Sequence, residues 1–134
     1  MLAGVWLGML LSAPADASQE LRSKVLAEGK DDYDVHCAAC HGDAGKGDGT
    51  MARLLVKPPT DLTRIAAAND GRFPFWRIFE IVAGGSGIAG HDTFQMPHFW
   101  GRFRSDDYRL GYREAHIRVL QLTHYLESIQ APPK

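Results

Sequence analysis

Sulfur chemistry is scarce in this chain. Its two cysteines, Cys37 and Cys40, stand only two residues apart, so no disulfide framework can staple distant parts of a fold. An excess of positive charge is missing as well. Lys and Arg total 15 against 16 Asp and Glu, which argues against nucleic acid as a partner, because that binding needs a basic footprint. No apolar run reaches the ~20 residues that a bilayer-spanning helix requires. There is no internal repeat, and no segment alternates polar and apolar residues convincingly enough to read as a strand. At 134 residues and 45% hydrophobic content, the composition fits one ordinary globular domain of the all-α class.

The N-terminus reads separately. Leu2 to Leu11 is an apolar run, followed by Ser12-Ala13-Pro14-Ala15-Asp16-Ala17-Ser18. A short apolar stretch ending in Ala15-x-Ala17 predicts a signal peptide over residues 1–17, cleaved after Ala17, with a single domain over 18–134. No Lys or Arg precedes the run, so either the start is internal to a longer leader or the leader is unusual. The competing reading is a buried or tethering N-terminal helix. Export implies the periplasm, with a membrane tether if the true N-terminus lies upstream. Loss of residues 1–17 removes Asp16 alone, leaving 15 acids against 15 bases. A formally neutral domain gives no electrostatic hint about a protein partner.

Four helices are predicted. The first covers about Glu20 to Cys40, with Leu21, Val25, Gly29, Tyr33 and Cys37 four apart on one face. Residues 42–49 hold four glycines and favour turns. A short helix around Leu62–Ala68 follows Pro58-Pro59, with Thr60 or Asp61 as N-cap. Phe75, Ile78, Phe79 and Val82 follow the i, i+3, i+4, i+7 rule, with Pro74 at the start and Gly84-Gly85 at the end. Residues 84–100 read as an irregular loop. The last helix covers about Tyr112 to Gln130, with Val119, Leu122, Leu126 and Ile129 on one stripe.

Cys37-Ala38-Ala39-Cys40-His41 is the strong motif. Two thiols separated by two residues can each add across one vinyl group of a haem, and the histidine that follows can present its ring to the iron. C-x-x-C-H is therefore read as covalent haem attachment. A thioredoxin-like C-x-x-C would sit near a βαβ pattern. A structural zinc would need four ligands, and His36, His91, His98, His116 and His124 show no suitable pairing. Two inert buried cysteines would leave His41 unexplained. The glycine-rich stretch after His41 lacks the spacing of a phosphate loop, and Asp43 and Asp48 do not fit a calcium loop.

The sixth iron position decides the chemistry: an open one admits oxygen or peroxide, a thioether saturates the iron for electron transfer. Met96 is the candidate, in a loop 55 residues beyond His41 and held extended by Pro97. Met1 and Met9 fall in the leader, and Met51 is too near His41 to reach the opposite face. His98 is the rival and His91 a weaker one. The second ring nitrogen of His41 needs a partner, which a backbone carbonyl near Pro58-Pro59 can provide.

In this order the residues resemble the class I cytochrome c family over roughly Glu28 to Ile129. Gly29-x-x-x-Tyr33 leading into the haem motif, Pro58-Pro59-Thr60-Asp61-Leu62-Thr63, Met96-Pro97 and Leu122-x-x-Tyr125-Leu126 carry the likeness. The resemblance implies three to four helices packed around one covalently bound haem c, with Gly29 letting the last helix cross closely near Tyr125. Cys37, Cys40, His41, Met96, Pro58 and Pro59 would contact the cofactor, and His41 and Met96 the iron. Aromatic bulk for the pocket is expected from Phe73, Phe75, Trp76, Phe79, Phe94, Phe99 and Trp100. The expected function is single-electron transfer between redox proteins of a respiratory or dehydrogenase chain, not enzymatic catalysis. The rival readings are a haem-based enzyme or gas sensor with a labile sixth ligand, and a cytochrome subunit of a larger, membrane-bound oxidase or dehydrogenase complex. The segment holding Arg102, Arg104, Asp106, Asp107, Arg109 and Arg113 looks longer than the family minimum, and reads as an extra helical turn, a docking surface or a solvated charged stretch.

Overall fold

The structure, a computed structural model, describes residues 15–84, 99–104 and 108–132. Five α-helices are ordered along them: α1 (Ala15–His36), α2 (Ala38–His41), α3 (Phe75–Ala83), α4 (Trp100–Phe103) and α5 (Tyr108–Ser128). Three single 3-10 turns, Ala52–Leu54, Leu62–Arg64 and Ala67–Asn69, punctuate the segment between α2 and α3. No strand occurs among the described residues, and none of their helices is long and apolar enough to cross a membrane. Residues 1–14 of the expected leader lie outside them, and α1 runs through the expected cleavage point after Ala17.

The long helices α1 and α5 cross against each other, and the crossing is set by one missing side chain. A Cβ at Gly29 would stand 2.2 Å from the Gln121 carbonyl oxygen and 3.0 Å from the Tyr125 Cβ, so only glycine allows the backbones this close. The expected pairing of Gly29 with the Tyr125 neighbourhood is therefore present. One turn on, Tyr33 is fully buried with its ring 5.3 Å from that of Tyr125. From α5, the stripe of Val119, Leu122 and Leu126 enters the core, with Ile129 packed against its edge. Thr123 is buried too, and its hydroxyl is satisfied by donating to the Val119 carbonyl at 2.7 Å.

α3 follows its sequence signals closely. Pro74 stands at the N-cap, and Gly84, at φ 95°, ends the helix in the left-handed conformation. Ile78 and Val82 are its buried residues. The first and last helices differ from expectation at their edges. The first starts earlier and breaks at Cys37, whose backbone (φ −120°, ψ −36°) opens the new turn α2; the last starts four residues earlier, at Tyr108. The short helix expected over 62–68 resolves into two 3-10 turns, the first capped by Asp61, whose side chain accepts from the Thr63 amide at 2.9 Å.

α4 supplies the extra helical turn that is one reading of the segment around Arg102, although it begins inside the loop expected over 84–100. Phe99 and Phe103 are almost completely buried and stack at 5.7 Å, so two aromatic rings one turn apart anchor a four-residue helix. Its Arg102, and Arg104 just beyond its end, stay exposed. Arg118 of α5 lies over the Phe103 ring at 4.2 Å and pairs in bidentate fashion with Asp32 of α1. The chain between α2 and α5 is tied down by Gln130. Its amide donates to the Leu62 carbonyl and accepts from the Ala66 amide, both at 2.8 Å.

Candidate haem-attachment site

α2 is one turn of helix with Cys37 at its start, and the amides of Cys40 and His41 both donate to the Cys37 carbonyl, at 3.1 and 2.9 Å. Residues three apart on a helical turn share a face, so the two thiols emerge together. Neither is bridged. Burial pushes the Cys37 thiol up to about 12, with lesser contributions from the Asp32 carboxylate and Cys40. An activated redox or nucleophilic cysteine needs the opposite shift, which argues against a thioredoxin-like site, as does the lack of strands among the described residues. Among the described residues no group of His, Cys, Asp or Glu clusters to hold a metal ion by itself, which removes the zinc alternative there.

His41 closes the turn, buried at 9% exposure. Its Nδ1 lies 3.0 Å from the Thr60 carbonyl oxygen. A carbonyl can only accept, so Nδ1 carries a proton, and in the neutral ring this leaves the lone pair on Nε2. That is the tautomer an iron-ligating imidazole requires, oriented by a backbone partner. The acceptor is one residue beyond the two prolines singled out from sequence. Pro58 is exposed, and the carbonyl of half-buried Pro59 sits where a Cβ on Gly47 would be, 2.4 Å away. With φ at +79°, Gly47 also donates its amide to the His41 carbonyl at 2.7 Å. Tyr33 completes the frame, its hydroxyl donating to the Gly42 carbonyl at 2.5 Å. Burial drives that phenol well above its ordinary range.

The other expected residues separate into distinct groups. Met96, with the rival ligands His91 and His98 and the aromatic Phe94, lies outside the described residues. The His36 ring packs beside those of Phe99 and Phe103, at 5.7 and 5.2 Å. His116 packs on Trp100 and His124 on Phe75. Of the aromatics proposed as pocket bulk, Phe99 joins the core and Phe73, Phe79 and Trp100 pack against it, whereas Trp76 is 67% exposed. Two contributors escaped the sequence reading: Phe103 and the Asp32–Arg118 pair. The Thr60 carbonyl is the main-chain acceptor expected near Pro58-Pro59.

Two unbridged thiols on one face of a turn and an imidazole in the ligand tautomer form a donor set that fits a covalently attached haem. The family model of cytochrome c matches residues 26–116, from the middle of α1 to the middle of α5. The chain belongs to the cytochrome c family, haem-binding electron carriers whose membership implies a covalently held haem c. No characterised protein and no solved structure matches the chain.

Proposed function

We propose that this chain is an exported, monohaem c-type cytochrome that passes single electrons between redox proteins of a respiratory or dehydrogenase chain and performs no bond chemistry. The observation that carries this reading is the buried His41 ring, oriented by the Thr60 carbonyl beside two unbridged thiols. Cys37 and Cys40 would hold one haem c through two thioethers, with His41 and Met96 as axial ligands and the Pro58-Pro59 segment stiffening the approach to Thr60. A haem ligated in this way supplies a one-electron couple at a saturated iron. The protein's own task is to hold the imidazole in one tautomer, exclude water from it and keep the turn rigid. Cleavage after Ala17 would release the domain to the periplasm.

The test is the visible spectrum of the protein matured in a host that attaches haem c. A covalent haem with a sulfur-to-ferric-iron charge-transfer band, indifferent to carbon monoxide, is expected. Replacing Met96 by His should remove the band and lower the reduction potential by at least about 59 mV, a factor of ten for one electron. Rapid carbon monoxide binding by the unsubstituted protein would move the assignment to sensing or catalysis. The absence of covalent haem, with a control cytochrome matured normally, would overturn it.

A further inference from the structure

α1 ends at His36, one residue before Cys37, and its last turns carry a polar cluster that attaching a haem does not require. The half-buried His36 ring packs beside Phe99 and Phe103, at 5.7 and 5.2 Å. One turn earlier, buried Asp32 pairs with Arg118, which in turn lies over the Phe103 ring. Three helices thus meet at one spot: α1 through Asp32 and His36, α4 through Phe103 and Arg102, and α5 through Arg118. The Asp32 carboxylate acts electrostatically on both the His36 ring and the Cys37 thiol. The cluster and the first attachment cysteine therefore share one field.

Within this cluster His36 is the group that changes charge near neutral pH. Arg118 is a fixed cation, and its bond to Asp32 holds it so. Among the described residues, the charges that face the ring are Asp32 from α1, Arg118 from α5 and Arg102 from α4. Burial favours the neutral imidazole, the two cations add to that, and Asp32 opposes it. An electron arriving nearby works in the opposite sense, because it draws a proton. At an effective dielectric of about 20, a unit charge about 10 Å away changes a proton affinity by roughly tenfold. Reciprocity requires the proton to change the electron affinity by the same factor.

We infer that His36 is a redox-linked proton site: its imidazole takes one proton from solvent as one electron arrives at the Cys37–His41 turn from a reduced partner protein, and returns it when the electron leaves. One N–H bond forms on uptake and breaks on release, and no other bond changes. The inference rests on the electron-carrier reading above, since a haem held at Cys37 is what brings the electron beside the ring. Its consequence is a driving force that depends on pH, with the reduced state favoured by acid. The aromatic rings of α4 then have a second task, which is to keep the site dry enough for the two charges to feel each other.

The holoprotein is to be compared with two variants, H36F and R102Q. H36F keeps a ring beside Phe99 and Phe103, and Arg102 is exposed, so its replacement leaves the fold intact. Visible spectra come first. Absence of covalent haem in the unsubstituted protein would overturn the electron-carrier reading, and the proton site with it. With haem intact, the midpoint potential is measured from about pH 5 to 8. It should fall with rising pH through one step of about 59 mV, which is a tenfold change in electron affinity, and the step should be absent in H36F. A second readout needs no electron-transfer partner: the NMR titration of the His36 ring in the ferric and the ferrous protein. The ferrous ring should bind its proton roughly tenfold more tightly. R102Q removes one cation and should carry the step and both titrations to higher pH. A potential flat with pH, a step that survives in H36F or stays in place in R102Q, or equal ferric and ferrous titrations would overturn the proton site alone.

Discussion

The α1–α5 crossing and the 42–66 segment lie side by side, yet different forces hold them. At the crossing, side-chain volume does the work: Tyr33, Val119, Leu122 and Leu126 are buried, and Gly29 sets the distance between backbones. In the 42–66 segment Ala66 is the one buried apolar side chain. Order there comes from polar bonds, namely the Gly47 and Gly49 amides to α2, the Leu62 amide to the Gly45 carbonyl at 2.7 Å, and the Gln130 side chain. Packing energy is non-directional and additive over area, whereas a hydrogen bond fixes a direction. The protein therefore uses volume to be stable and backbone bonds to aim one imidazole. Damage to the two regions should read out differently, as lost stability in the first and as altered ligand geometry or surface in the second.

The largest effect is expected at Gly29. A valine there must push α5 away along its length, since the nearest atoms are backbone. Overpacking against backbone costs about 3 kcal/mol or more, a large part of the ~5–15 kcal/mol that holds a domain of this size together. Gly29→Val should show a collapsed yield of folded holoprotein and a much lower denaturant midpoint. A near-native midpoint would mean that the crossing is not the keystone.

Next comes the pair that joins α1 to α5 beside α4. Removing Arg118 alone leaves the Asp32 carboxylate, whose side chain is 12% exposed, without its partner. Because the arginine is itself partly solvated, the cost of Arg118→Leu should be about 2 kcal/mol, below the range for fully buried pairs. The double replacement Asp32→Leu with Arg118→Met should recover most of that loss. Equal loss in single and double variants would show that the Arg118–Phe103 stacking, not the charge, is what matters.

These contrasts also show what the sequence made legible. Periodic apolar faces are written locally, so α3 with its Pro74 and Gly84 boundaries and the stripe of α5 could be read directly. The C-x-x-C-H turn is also local, and the covalent haem that the family implies could be read from it. What stayed hidden is what only the folded chain brings together. α4 is too short to carry a period, and its rings are buried by His36 and Arg118 from two other helices. Asp32 and Arg118 are 86 residues apart. The acceptor for His41 was expected near Pro58-Pro59, but that it is the Thr60 oxygen is marked by no letter.

Tyr33 belongs to both regions, with its ring in the crossing and its hydroxyl on the Gly42 carbonyl. Tyr33→Phe keeps the packing and removes the donor. The carbonyl still accepts from the Gly45 amide at 3.0 Å, so it is not orphaned, and the loss should stay near 1 kcal/mol. If the two regions are mechanically separate, the spectrum of the holoprotein will not change. A shifted axial-ligand band in Tyr33→Phe would show that the crossing also aims His41.

The smallest effect is electrostatic and concerns His36. Burial beside Phe99 and Phe103 lowers its pKa below the ordinary 6.5; Asp32 opposes the shift, while Arg118 and Arg102 add to it. Between the folded and unfolded values the unfolded chain binds more protons than the native one. Stability contributed by neutral His36 is therefore full above pH 6.5, and it is lost as the pH falls from 6.5 toward the folded value. Replacing His36 by Phe keeps a ring in the aromatic stack and removes the titration. Denaturant midpoints of the holoprotein measured from about pH 5 to 7 should fall less steeply on acidification in His36→Phe than in the parent. Parallel pH profiles would place the proton sensitivity elsewhere, and leave the crossing with its aromatic lid indifferent to charge.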